Sequence, residues 1–114
     1  MTAQELYEKL RPIQEAKGNY FNADMEMTMD LVRALLVNKE RYGYMACPCR
    51  LAGGTFALDR DIVCPCAYRD ADVAEHGACF CGLYVSKALH DSGQPAPVVE
   101  ERRPVEKTLA ALGG

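Results

Sequence analysis

Three Cys-x-Cys pairs, Cys47/Cys49, Cys64/Cys66 and Cys79/Cys81, hold every cysteine of the chain, and the first two are Cys-Pro-Cys. Thiolates can ligate metals, attack disulfides or form disulfides of their own. Proline biases Cys47 and Cys64 towards extended backbone. In extended chain the two Cα atoms of such a pair lie roughly 6.6 Å apart, at the outer edge of what a disulfide spans. Pairing is therefore expected between motifs, or to a metal. Structural zinc draws its ligands from Cys-x2–4-Cys knuckles, and one-residue spacing suits a larger polynuclear centre better. A [4Fe-4S] cluster takes four thiolates, which leaves two cysteines for a redox-active dithiol beside an electron reservoir. Spacing leaves open which two. The combination has a chemical rationale: disulfide reduction takes two electrons, iron–sulfur carriers deliver one at a time, and a nearby cluster can share the unpaired electron.

The whole chain sets the frame. It has 114 residues, 49% of them apolar and 25% charged, with no tryptophan. That is enough for one small domain over residues 1–114. No apolar run approaches the roughly 18 residues needed to cross a bilayer. "MTAQELYEKLRPIQEAKG" has neither the apolar stretch nor the cleavage site of a secretory signal. The expected location is cytoplasmic, where reducing conditions favour metal-binding or redox thiols over a structural disulfide framework. A net charge of −3 excludes a strongly basic nucleic-acid binder. Around the cysteines, Arg41, Arg50, Arg60 and Arg69 face only Asp59 and Asp61, either chance variation or a mildly positive docking face for an acidic partner.

Helices must carry these motifs. Thr2 and Glu5 form a capping-box pattern, with Leu6, Leu10 and Ile13 at helical spacing and Pro12 expected to kink or divide the segment. "GNYFNAD" breaks it. From Asp24 a second helix carries Met27, Leu31, Leu35 and Leu36 on one face and ends at Gly43; its methionines read as core filler. After the "LAGG" loop, "TFALDRDIV" is a short helix or irregular segment. "YRDADVAEHG" is a helix ended by Gly77, and "CGLYVSKALH" a helix starting at the last cysteine pair. The proline-broken tail, residues 91–114, is expected to wrap the surface and end in a helix at "VEKTLAAL".

"CPCR", "CPCAYRD" and "CFCGLY" resemble the catalytic (beta) subunit of ferredoxin:thioredoxin reductase, in particular its bacterial and archaeal forms. The likeness is close over about residues 42–86. It implies a mainly α fold of short helices and loops around a [4Fe-4S] cluster. Cys47, Cys64, Cys66 and Cys79 are then the cluster ligands, and Cys49–Cys81 the active-site disulfide. Cys49 is the exposed interchange thiol and Cys81 stays against the cluster. Reduced ferredoxin is the implied donor, thioredoxin or a thioredoxin-like protein the implied substrate, and a variable subunit a further possible partner. Nucleic acid and membrane are not among the partners.

Phe80 stands where the plant-type motif has a histidine that handles protons. His76, three residues before Cys79, is a candidate replacement, against the reading that it simply ends a helix; His90 is read as a surface residue. Arg50 is expected either to lower the Cys49 pKa or to face solvent or ferredoxin. Cys81 is expected to gain from a helix N-terminus. Rival readings are a non-catalytic iron–sulfur electron carrier and a structural zinc-binding module; a secreted disulfide scaffold ranks last.

Overall fold

The computed structural model describes residues 1–113; Gly114, the last residue of the expected tail, lies outside it. The fold is mainly α. Helices α1 (Ala3–Ala16) and α2 (Met25–Tyr42) pack together as the scaffold. Between them β1 (Tyr20–Phe21) pairs antiparallel with β2 (Tyr84–Val85). Short helices α3 (Phe56–Asp59), α4 (Arg69–His76), α5 (Lys87–Ser92) and α6 (Val105–Ala111) follow, with a 3-10 turn at Arg60–Ile62. Among the described residues, no helix is long and apolar enough to cross a membrane.

Local chemistry explains the helix ends. Thr2 and Glu5 close a reciprocal capping box on α1. The Asp24 side chain accepts from Met27 N at the start of α2, and Gly43, at φ +87°, ends it. Gly77 ends α4 in the same left-handed conformation, φ +82°.

Three expectations need correcting here. Pro12 does not divide α1, which continues past it as one helix to Ala16. Pro12 and Glu8 are both exposed, so water can satisfy the Glu8 carbonyl that proline leaves without its helical donor. Ile13 is 53% exposed, while Gln14 on the same helix is buried, because Gln14 accepts a hydrogen bond from Arg69. The buried seam of α2 is Thr28, Val32 and Leu35, with Met27, Leu31 and Leu36 only half-buried beside it. Burying Val32 and Leu35 contributes about 1.5–3 kcal/mol each.

The segment after Cys81 is the largest difference. It is not a helix from the last cysteine pair: Leu83, Tyr84 and Val85 are buried, Tyr84 and Val85 form strand β2, and the helix starts only at Lys87, capped by the Ser86 hydroxyl. Pairing with β1, which lies inside the expected "GNYFNAD" break, outweighs the helical spacing of "YVSKAL". His90 is half-buried, not a plain surface residue: its Nδ1 lies 2.8 Å from the Phe21 carbonyl.

The tail does wrap the surface. Val99 is buried with Ala78 and Val85, and three consecutive residues then bind three different segments. Glu101 pairs with Arg50, Arg102 with Asp72 on α4, and Arg103 with Asp61 of the 3-10 turn.

Candidate active site

Backbone pairing brings the three motifs together. An antiparallel bridge joins Ala46 to Val63, with Cys47 N donating to Ile62 O and Cys64 N to Met45 O, both at 2.8 Å. The first two motifs therefore lie side by side. The third is a tight turn: Gly82 N donates to Cys79 O at 2.9 Å and Gly82 adopts φ +78°, where a side chain would be strained. A second bridge, Ala78 to Val85, closes this turn onto β2. In the second motif the Cys64–Pro65 peptide is cis.

The motifs meet at a small recess lined by Cys47, Cys64, Cys66, Cys79 and Cys81, with Arg50, Arg69, Phe80 and Tyr84 completing its wall. Cys49 does not line it, and of the six cysteines it is the exposed one. A larger groove between α3 and α6 contains no thiol. The Cys81 thiol is 3.8 Å from Cys79 Sγ, and Cys47 and Cys49 act on its acidity as well.

These contacts set the acidities. Donation from Cys81 lowers Cys47 to about 7 against the effect of burial, helped by the Cys49 backbone and Arg50. The same donor, joined by the backbone N–H groups around Gly82, brings Cys79 down to about 6. Cys49 is also lowered, mainly by Cys81. Cys81 itself is held well above its ordinary value, because as the shared donor it is stabilised in its protonated form. With β2 where a helix was expected, Cys81 has no helix N-terminus to lower it. Burial pushes Cys64 far up and Cys66 up.

Two arginines turn inward. Arg50 has a side chain only 2% exposed; its Nη1 lies 3.3 Å from Cys66 Sγ and 3.8 Å from Cys47 Sγ, and its other nitrogens grip Glu101 in a two-pronged pair at 2.7 Å. Its guanidinium also sits 4.6 Å above the Phe80 ring. The expected solvent-facing role is thus overturned, and the effect on Cys49 is minor beside the contact with Cys66. Arg69, likewise buried, lies 5.0 Å over the Tyr84 ring. Of the four arginines behind the expected positive docking face, Arg50 contacts the thiols, Arg69 lines the recess, and Arg41 and Arg60 remain exposed.

His76 is exposed, 3.7 Å from Glu75 in the last turn of α4, and is not among the residues lining the recess. Arg69, Tyr84 and Glu101 were missed from sequence. Arg69 left a trace: a cation in the first turn of a helix opposes the dipole, which signals a tertiary partner. Tyr84 and Glu101 left none.

The donor set fits an iron–sulfur centre. Five cysteine thiols line one recess, enough to ligate an iron–sulfur centre, and two buried guanidiniums would offset the negative charge such a centre carries. Among the described residues, no three His, Cys, Asp or Glu side chains are set to hold a single metal ion; the sulfurs surround a space.

Comparison with known proteins places the chain in a family. A search of curated proteins finds no match. The family model described as "Ferredoxin thioredoxin reductase catalytic beta chain" matches residues 2–109, nearly the entire chain. The chain belongs to the family of ferredoxin:thioredoxin reductase catalytic beta chains and is an oxidoreductase.

Proposed function

We propose that this protein is an iron–sulfur disulfide reductase that takes electrons from reduced ferredoxin and reduces a disulfide of a thioredoxin-type protein in the cytoplasm, with or without a variable subunit. The observation that carries this reading is the division of the six cysteines: five line one recess and Cys49 stands exposed beside it. Cys47, Cys64, Cys66 and Cys79 would hold a [4Fe-4S] cluster. When bound, the cluster supplies electrons one at a time to the neighbouring sulfur chemistry.

Cys49 and Cys81 perform the exchange. Two electrons and two protons open the Cys49–Cys81 disulfide to two thiols. The Cys49 thiolate attacks one sulfur of the target disulfide, forming a mixed disulfide and releasing the first target thiolate. Cys81 then attacks Cys49 Sγ, which restores the Cys49–Cys81 disulfide and releases the second target thiolate. Their acidities suit the order: Cys49 is lowered and accessible, whereas Cys81 is raised and holds its proton until the second attack. Phe80 and Arg50 line the recess, stacked on each other, and Glu101 holds the Arg50 guanidinium in place. His76, exposed at the end of α4, is a proton donor only by way of solvent in this scheme.

The test uses two variants of the anaerobically purified protein. Cys49→Ser is expected to keep its iron, sulfide and broad visible absorption and to lose ferredoxin-driven disulfide reduction. Cys64→Ser is expected to assemble no stable cluster. Loss of the cluster in the first variant with retention in the second would invert the assignment.

A further inference from the structure

Tyr84 is 1% exposed and its hydroxyl is a buried polar atom without a hydrogen-bond partner among the described residues. A buried unsatisfied hydroxyl costs about 1–3 kcal/mol, and this one is held where it is. Phe21 stacks on the ring at a centroid distance of 5.1 Å, and Arg69 covers it at 5.0 Å, fixed in turn by Gln14. The Tyr84 backbone is pinned as well: its N–H donates to Cys79 Sγ at 3.3 Å and its carbonyl accepts from Cys79 N at 2.9 Å. The phenol cannot swing out to water without dismantling β2.

The composition of the recess determines what can accept this proton. Its wall is made of cysteines, two arginines, Phe80 and Tyr84 itself. Arginine has no acceptor, and the Phe80 ring is engaged by Arg50. Sulfur is what remains.

We propose that the Tyr84 hydroxyl donates a hydrogen bond to a sulfur of the iron–sulfur centre, and so sets the potential at which that centre passes on its electrons. This rests on the cluster reading given above. A hydrogen bond to cluster sulfur stabilises the more negative, reduced form and raises the potential. Tyr84 is thus a tuning residue, acting through the cluster and not on the target disulfide.

The experiment is spectroelectrochemical titration of the intact protein, with electron-nuclear double resonance of its reduced form in H2O and D2O. Tyr84→Phe keeps the ring between Phe21 and Arg69. It is expected to retain wild-type iron and sulfide, to lose one exchangeable-proton coupling, and to shift its midpoint downward by about a tenfold change in the reduced-to-oxidised ratio, which for one electron is 59 mV. Incorporating 3-fluorotyrosine at position 84, a stronger donor of nearly the same size, is expected to shift the midpoint upward. An intact cluster with unmoved potential in Tyr84→Phe overturns the proposal. If Tyr84→Phe does not assemble, an unmoved potential in the fluorotyrosine protein overturns it equally. A wild-type protein without iron would sink the cluster reading and this proposal together, whereas a brown protein with unmoved potentials sinks this proposal alone.

Discussion

Arg50→Met tests whether the inward-facing guanidinium holds the site together. The substitution keeps a long apolar stem and removes the charge from a side chain that is 2% exposed. It breaks both bonds to Glu101, the contact with Cys66 Sγ and the stacking on Phe80. Removing one partner of a buried ion pair costs about 3–5 kcal/mol. Glu101 keeps 31% of its side-chain exposure, so water recovers part of its hydration and about 2–4 kcal/mol is expected. The assay is anaerobic urea unfolding of the intact protein followed by circular dichroism, alongside Glu101→Gln and the double variant. Hydrogen bonds to charged groups contribute about 1.5–3 kcal/mol, so a coupling energy in that range is expected from the cycle. A cost below about 1 kcal/mol for Arg50→Met, or additivity in the double variant, would refute the view that Arg50 ties the first cysteine motif to the tail.

Two further changes probe the scaffold. Pro12→Ala fills an exposed position inside α1 with the best helix former and restores the bond to Glu8; it is expected to raise stability by about 1–3 kcal/mol, and no gain in the urea midpoint would contradict the account of that helix. Burial pushes the Asp61 carboxyl up, but Arg103 and Tyr68 more than offset it, leaving its pKa below the ordinary value. A depressed folded-state pKa means that Asp61 stabilises the fold fully above the unfolded carboxylate value near 4 and loses that contribution as pH falls through the folded value. Asp61→Asn is therefore expected to cost about 1.5–3 kcal/mol at pH 7, with the gap to wild type closing as pH drops below about 4; a gap that stays constant down to pH 3 would disprove the linkage.

The sequence by itself determined the features whose causes are local. Three cysteine pairs with two central prolines announced thiol chemistry and a family resemblance. Thr2 with Glu5, Asp24, Gly43 and Gly77 marked helix ends, because caps and left-handed glycines act within a few residues of their own position. What lay beyond reach depended on partners far along the chain. Arg50 meets Glu101 across 51 positions, Gln14 meets Arg69 across 55, and Asp61 meets Arg103 across 42. Nothing near Tyr84 in the chain tells that it becomes a strand residue, since that follows from pairing with Tyr20–Phe21. The same pairing removes the helix expected at Cys81 and leaves that thiol beside Cys79 in the recess. Residue type and spacing named the chemistry; tertiary structure decided which charges, rings and hydroxyls face it, because the energy of burying a polar group depends on what surrounds it and not on its neighbours in sequence.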